Sequence, residues 1–177
     1  EKGAYQPPWL GRLNAHARAL LALEEPLVLA GDYNVIPEPQ DADNPASWLG
    51  DALFQPESRG AFRALKWLGL TDAYVAADGA PGGYTFWDYQ AGAWRRNHGI
   101  RIDHLLLSPQ AADRLEEVLI HRDVRGRDPP SAHVPVVAGP RLSKRTRPAA
   151  PDNLADPAPA FLLHTPQPAR VPHSPAR

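Results

Sequence analysis

The residues best suited to chemistry near the start of the chain are Asp32 and Asn34, in the segment Gly-Asp-Tyr-Asn that follows the apolar run at 27–30. A short apolar run that breaks at Gly-Asp predicts a buried β-strand ending at the edge of a sheet. Because residues two apart on a strand face the same side, both side chains can point at one ligand. A carboxylate can bind a divalent cation or carry a proton, and a carboxamide can donate to a phosphate oxygen. The pair therefore indicates phosphate ester chemistry.

Two later segments add further candidate residues. The first is the aromatic block Tyr-Thr-Phe-Trp-Asp-Tyr at 84–89, which leads through an Arg-rich loop into an apolar stretch containing Asp103. The second is Pro-Ser-Ala-His-Val-Pro-Val at 130–136, which contains His133. In order and spacing, the three segments resemble the exonuclease III branch of the endonuclease/exonuclease/phosphatase superfamily. That branch includes bacterial exodeoxyribonuclease III and the apurinic/apyrimidinic endonucleases, and the resemblance covers about residues 5–137.

The resemblance assigns Asp103 and His133 as the His-Asp pair of the family. An imidazole titrates near neutral pH, so His133 suits proton transfer to or from an attacking water, or electrostatic support. Asp103 can bond the other ring nitrogen and fix its tautomer. The resemblance assigns Asp32 to orienting the water or handling the leaving-group proton, and Asn34 to contacting the phosphate. The residues alone leave a second interpretation open, in which Asp32 and Asn34 are turn residues and His133 is structural.

The same resemblance places Phe86, Ile100 and Ile102 at an apolar pocket for a nucleotide that lacks its base. Trp87 belongs to the same substrate-binding block. Such a pocket selects an extrahelical sugar by shape, and an abasic site is already unstacked. Aromatic strands are common in protein cores, so the block also fits a purely structural role.

The loop after the aromatic block carries candidate contacts to DNA phosphates, Arg96 and Asn97, with a solvated charged loop as the alternative. The tail at 141–177 holds six Lys or Arg and two acids, so the rest of the chain is more acidic than its overall net charge of -1. That balance is not the basic footprint of a nucleic-acid-binding domain. DNA binding would therefore need a local cluster, for which Arg95, Arg96 and Arg101 are the candidates.

The sequence departs from the family at the metal site. Ala132 stands where the family's Ser-Asp-His motif has its Asp, and an alanine side chain cannot coordinate a cation. The family's principal metal-binding Glu belongs to an amino-terminal half that would precede Glu1. Mg²⁺ is bound through carboxylates, phosphate oxygens and retained waters. We therefore expect Mg²⁺, or Mn²⁺ in its place, to bind weakly or not at all, and we assign no residue of this chain as a metal ligand.

Strands and helices alternate along the chain, which predicts an α/β layered domain. Helices are expected at 9–23, with Trp9, Leu13, Ala17 and Leu20 on one stripe, and at 57–68, with Gly69 as the C-cap. Ser108 and Pro109 open a short helix, 37–51 is a loop, and 70–76 is irregular or extended. Strands are expected at 27–30, 84–87, 102–107, 117–122 and 134–138. The resemblance implies the C-terminal half of a four-layer α/β/β/α sandwich of the DNase I-like type.

Composition limits the remaining possibilities. We expect a partial endonuclease/exonuclease/phosphatase domain at 1–140 and a Pro- and Arg-rich disordered tail at 141–177. The absence of Cys excludes disulfides and thiolate metal sites, and the apolar runs are too short to cross a bilayer. The first residues are not a signal peptide, so we expect a cytoplasmic, nucleoid-associated protein of bacterial type.

The sequence therefore predicts a partial exodeoxyribonuclease III-like, Mg²⁺-dependent phosphodiesterase of base-excision repair. Its substrate would be duplex DNA with abasic sites, cut on the 5′ side, or with 3′ ends, and its activity would be impaired by the missing carboxylates. One alternative is a non-catalytic remnant that binds DNA or a partner chain. Another is a superfamily phosphatase that acts on a lipid or inositol phosphate. We also expect association through an uncovered apolar sheet face.

Overall fold

The computed structural model describes residues 8–77 and 79–139, so the tail expected at 141–177 lies outside the described residues. The described residues form helices α1 (Pro8–Leu21), α2 (Pro56–Lys66), α3 (Ala73–Ala77), α4 (Ala93–Arg96) and α5 (Pro109–Ala112). They form strands β1 (Val28–Asp32), β2 (Thr71–Asp72), β3 (Asp103–Leu107), β4 (Glu117–Ile120) and β5 (Val136–Gly139). This mixture of helices and sheets confirms the predicted α/β class.

The strands make two antiparallel sheets. The first has the order β1-β3-β2, with β3 in the centre, and the second pairs β4 with β5. Every residue of β3 is buried, as its apolar sequence requires. β3 is therefore the buried central strand of the first sheet, and it begins at Asp103.

The expectation of a buried first strand was wrong. β1 begins at Val28, which is 45% exposed, and none of its five residues is fully buried. The reason is its place in the sheet. Within the described residues β1 pairs only with β3, so its outer edge and part of one face stay uncovered.

The helices α1 and α2 cover the first sheet and form the largest core cluster with it. The fully buried residues of α1 are Leu10 and Ala17, and Leu13 and Leu21 pack against the same cluster. Trp9 also packs against this cluster, so three of the four residues of the predicted stripe, Trp9, Leu13 and Ala17, contact it and only Leu20 does not. The cluster is completed by Tyr33, Val35, Phe62, Leu65, Leu70 and Leu106.

The second helix follows the sequence signals with a shift of one or two residues. It begins at Pro56, which suits the first helical position because its missing N–H has no partner to lose. The helix is capped by Trp67. Gly69, expected as the cap, lies two residues further on, where it turns the chain with φ 108°.

Two segments differ from their expected secondary structure. The segment expected to be irregular or extended contains the short helix Ala73–Ala77 after a two-residue strand. The aromatic block does not form a strand at 84–87; Phe86 alone makes isolated bridges, to Ile100 and to His133. These single bridges still link the block to the segment that carries the histidine.

Arg101 is not part of a basic surface, which corrects the expected cluster with Arg95 and Arg96. Its side chain is 2% exposed and lies between two carboxylates. Its Nε atom donates to Asp41 Oδ1 at 2.7 Å, and its NH1 group donates to Asp72 Oδ2 at 2.9 Å. A buried charge must be paired, and here both partners come from distant parts of the chain.

The helices of the described part of the chain include none that is long and apolar enough to span a membrane.

Candidate active site

The site is built on two carboxylates that face each other across the first sheet. In the antiparallel register of β1 and β3, Asp32 is the direct partner of Asp103. Directly opposed side chains project on the same face, and like charges in this arrangement destabilise a sheet. A fold that keeps two such carboxylates together must have a third group that balances them.

His133 is that third group. Its Nδ1 atom lies 2.9 Å from Asp103 Oδ2, and its Nε2 atom lies 3.9 Å from Asp32 Oδ2. Because an ionised carboxylate only accepts, Nδ1 carries the proton in the bond to Asp103. The ring is half-buried and packs edge-on against Phe86, with 4.9 Å between the ring centroids. The structure thus brings together three of the predicted site residues from distant parts of the sequence.

The electrostatics of the trio favour proton transfer. The hydrogen bond to Asp103 raises the pKa of His133 above its ordinary value, and the charges of Asp103 and Asp32 add to this effect against partial burial. Burial raises the pKa of Asp32, and the charge of Asp103 adds to it, while the backbone N–H of Asn34 opposes the rise. Groups whose pKa values are shifted by a specific partner in a shared site are typical of functional sites.

Asn34 does not continue the strand as expected. β1 ends at Asp32, and Asn34 has φ 49°, a left-handed conformation that Asn tolerates better than most residues. Its backbone N–H donates to Asp32 Oδ1 at 2.8 Å, and its side chain also lowers the pKa of Asp32. Asn34 is therefore both a turn residue and a neighbour of the site, with an exposed carboxamide.

The expected substrate pocket is largely filled. Ile100 and Ile102 are each 2% exposed and belong to a core cluster with Ile36 and Phe54. Trp87 is 1% exposed and likewise lies in the core, which corrects its place in the substrate-binding block. Of the four predicted pocket residues, only Phe86 is partly exposed.

The two residues expected in a loop at DNA phosphates lie at the end of α4 and have different environments. Arg96 is exposed and donates to the backbone oxygen of Ala91. Asn97 ends α4 in a left-handed conformation, φ 58°, and its Oδ1 atom accepts from Trp87 Nε1 at 3.2 Å. The side-chain oxygen of Asn97 therefore has an internal, structural partner.

Sequence reasoning missed Thr85, whose side chain and backbone contact the two segments that carry the His-Asp pair. Thr85 is fully buried, and its hydroxyl oxygen accepts the backbone N–H of Asp103. The only signal was a short polar side chain flanked on both sides by aromatic residues, Tyr84 and Phe86. Such a residue needs an internal partner when it is buried.

The donor set offers a partial fit to a divalent cation. Asp32, Asp103 and His133 each present one ligand atom, and these atoms lie within 4.8 Å of one another. Two carboxylates suit a small hard cation that takes its other ligands from water and phosphate. Ala132 adds no ligand, and its backbone oxygen accepts from Trp87 N at 3.0 Å.

Comparison with known proteins identifies the family. Residues 2–143 match the model of the endonuclease/exonuclease/phosphatase family, so the chain belongs to that family. The chain is 36% identical over 115 residues to an exodeoxyribonuclease of Bacillus subtilis, a match that covers 64% of this chain and 44% of that protein. This and further relatives place it in the exodeoxyribonuclease III and apurinic/apyrimidinic endonuclease branch of DNA repair nucleases, a metal-dependent group.

Solved structures agree with the assignment. A 3′ phosphatase from Neisseria bound to a product DNA hairpin has a TM-score of 0.73 and 32% identity, covering 76% of this chain and 52% of that one. An apurinic/apyrimidinic endonuclease from Archaeoglobus fulgidus has a TM-score of 0.70 and 32% identity, covering 74% and 51%. These neighbours have the DNase I-like fold, and the chain spans about half the length of the relatives it matches.

Proposed function

We propose that this chain carries the His-Asp part of a Mg²⁺-dependent DNA repair nuclease. The reaction is hydrolysis of a phosphodiester in duplex DNA, on the 5′ side of an abasic site or at a 3′ end. Support comes from the family membership and from relatives whose names describe exodeoxyribonucleases, a 3′ phosphatase and an apurinic/apyrimidinic endonuclease. The single observation that carries the proposal is the convergence of Asp32, Asp103 and His133.

The protonation pattern of the trio fits an attacking water. Since Nδ1 of His133 is bonded to Asp103, the lone pair at Nε2 faces Asp32 and the open side of the site. The 3.9 Å between Nε2 and Asp32 Oδ2 is too long for a direct hydrogen bond and leaves room for a bridging water. That water would attack phosphorus as His133 Nε2 takes its proton.

Asp32 can orient the attacking water. Its carboxylate faces Nε2 of His133, and in its ionised form it accepts a hydrogen bond from the bridging water. The protons then balance: one moves from water to His133 Nε2, and the departing oxygen takes one from solvent as the P–O bond breaks. The exposed carboxamide of Asn34 lies beside Asp32 and can donate to a phosphate oxygen.

The metal requirement follows from the charge of the substrate. Asp32 and Asp103 are the residues that would hold Mg²⁺, and the bound cation supplies neutralisation of the negative charge that develops on the phosphate. Ala132 leaves this donor set without the carboxylate that the family resemblance leads us to expect. We therefore propose that the chain binds Mg²⁺ weakly and cleaves slowly.

The test is strand scission of a fluorescent duplex with one abasic site, under single-turnover conditions with the chain in excess. The chain is assayed alone and after mixing with the part of a related exodeoxyribonuclease that lies outside the match. We expect cleavage that EDTA abolishes and that His133→Ala lowers by ~10²–10⁴-fold, because a positioned acid or base contributes about that much. His16→Ala is the matched control, since His16 is exposed on α1. Equal cleavage by parent and His133→Ala would reject the proposal.

A second function is favoured by one observation, Ala132 in place of a metal-site carboxylate. In that case the chain binds DNA without cutting it. Duplex binding that is insensitive to Mg²⁺, together with no cleavage in either form of the assay, would support this reading. Cleavage that depends on His133 would exclude it.

A further inference from the structure

Thr85 occupies an unusual position between the two residues of the His-Asp pair. Its side chain is fully buried, so it meets neither solvent nor substrate. Its Oγ1 atom accepts two backbone N–H groups, from Ile102 at 3.2 Å and from Asp103 at 3.1 Å. Its backbone oxygen accepts the N–H of Val134, the residue after His133, at 2.9 Å. One residue thus contacts both backbone segments that carry the pair.

The two amides bonded to Thr85 have no strand to pair with. On one side of β3, β1 pairs along its full length, and the backbone oxygen of Ile102 accepts from Tyr33 N at 2.9 Å. On the other side, β2 pairs only with Leu106 and Leu107, at the far end of β3. At the beginning of β3 the hydroxyl of Thr85 therefore takes the place of a neighbouring strand. Buried N–H groups need an acceptor, so this oxygen fixes where β3 begins.

We infer that Thr85 is a positioning residue, whose hydroxyl oxygen holds Asp103 within hydrogen-bond reach of His133. The inference rests on the proposed function only for its effect on rate. Asp103 is the first residue of β3, so a shift of its N–H moves its carboxylate relative to the imidazole. The hydrogen bond from Val134 N–H to the backbone oxygen of Thr85 fixes the segment that carries His133 relative to the same residue.

The chain offers a matched set of variants. Thr85→Val keeps the shape of the side chain and removes the acceptor, while Thr85→Ser keeps the acceptor and removes a methyl group. Thr71→Val is the control, because Thr71 pairs with Leu107 at the opposite end of β3. The first readout is the ¹⁵N and ¹H NMR signature of the His133 ring in the full chain, where the Nδ1–H bonded to a carboxylate resonates at low field. It requires no metal and no substrate.

We expect Thr85→Val to lose the low-field Nδ1–H signal and to lower single-turnover cleavage by ~10- to 100-fold, since a misplacement of about 1 Å can cost this much. We expect Thr85→Ser and Thr71→Val to keep the signal and to cleave within about threefold of the parent. A folded Thr85→Val protein with the parent's His133 signal overturns the inference. A loss of signal in Thr71→Val to the same degree also overturns it, because general loosening of the sheet would then explain the effect.

A folding failure of Thr85→Val is covered by Thr85→Cys, which is similar in size and a weak acceptor. The inference then requires a weakened Nδ1–H signal in the cysteine variant, and an unchanged signal overturns it. The two proposals fail separately. A lost signal with no cleavage by any protein, the parent included, supports the positioning role and rejects the nuclease, whereas unchanged signals with His133-dependent cleavage reject only the role of Thr85.

Discussion

His133 bonds to Asp103 through Nδ1 at 2.9 Å and faces Asp32 through Nε2 at 3.9 Å. The short contact is a charge-assisted hydrogen bond, whereas the longer one is too long for a direct hydrogen bond and can be bridged by a water. The imidazole is therefore held on one side and open on the other. Because the bond at Nδ1 raises the pKa of His133, cleavage should depend on pH.

Replacing Asp103 should move the pH profile of cleavage. The bond to Asp103 raises the pKa of His133, so a neutral His133 base becomes available only as the pH rises through that raised value. We expect Asp103→Asn to shift the rising limb of kcat/KM to lower pH and to lower the plateau by ~10²-fold or more. Rates measured from pH 5 to 9 would check this. Cleavage that falls as the pH rises through the same range would show that His133 acts as a cation instead.

The hydrogen bond between His133 and Asp103 should also make the stability of the fold depend on pH. A histidine with a raised pKa in the folded state stabilises fully below its ordinary pKa, and this contribution is lost as the pH rises through the raised value. We expect His133→Gln to be less stable than the parent at pH 5.5 and close to it at pH 9. Urea unfolding at the two pH values measures the difference. An equal loss of stability at both pH values would show that the packing of His133 against Phe86, and not its charge, is responsible.

Asp32→Asn should make the chain more stable and abolish its cleavage of DNA. The pKa of Asp32 is raised, so its ionised form is disfavoured by the fold at neutral pH, and the penalty disappears below the ordinary pKa of an Asp. Removing a charge directly opposite Asp103 should stabilise the chain by roughly 0.2–1 kcal/mol at pH 7. We expect cleavage to be lost at the same time. Thermal melts at pH 7 and pH 3.5 test this, with the exposed Asp113→Asn as the control, and a less stable variant at pH 7 would contradict it.

How far the sequence predicted the site depends on the range of each interaction. Asp32, Asp103 and His133 carry motif spacing, and all three lie at element ends or in a paired segment. The environment of Arg101 was mispredicted because Ile-Arg-Ile suggests an outward-facing charge. Its burial needs Asp41 and Asp72, which lie 60 and 29 residues away and leave no local signal.

The fold shows the same limit. The cap formed by Ser108, whose side chain accepts from Ala111 N, is local chemistry and was predicted correctly. The exposure of Val28 was not, because it depends on which strand lies beside β1. Hydrophobic pattern alone marks an apolar run and does not identify its neighbours.

Arg101 and Arg96 should separate stability from DNA binding. Arg101→Met leaves Asp41 and Asp72 buried without their cation, so we expect a loss of about 3–5 kcal/mol of unfolding free energy.

Arg96→Gln should leave stability unchanged and reduce the salt dependence of duplex binding, because Arg96 is exposed. Chemical unfolding and anisotropy titrations at several salt concentrations measure both. A salt slope that Arg96→Gln leaves unchanged would remove Arg96 from the DNA interface.

The edge of β1 should mediate self-association. Among residues 8–77 and 79–139, no strand pairs with the outer edge of β1, and Val28 on this strand is exposed next to a groove lined by Trp9 and Leu13 of α1. Exposed strand edges of this kind pair with other chains, and a lysine on the edge prevents it. We expect concentration-dependent dimers in analytical ultracentrifugation that Val28→Lys disperses. Val75→Lys is the control, because Val75 on α3 is exposed to a similar degree. A parent chain that stays monomeric at high concentration would contradict the prediction.

Ala132 should limit cleavage, although not by itself. Ala132 precedes His133 in the sequence and gives the cation no ligand, whereas the family resemblance leads us to expect a metal-site carboxylate at this position. We expect Ala132→Asp to increase cleavage by the chain alone only slightly, because the Glu that the family resemblance leads us to expect has no counterpart among the described residues. Mixing Ala132→Asp with the unmatched part of a related exodeoxyribonuclease should give EDTA-sensitive strand scission, and adding His133→Ala should abolish it. Ala132→Ser is the matched control, since it is similar in size and uncharged. Robust EDTA-sensitive cleavage by the unmodified chain would show that Asp32, Asp103 and His133 suffice to hold the cation.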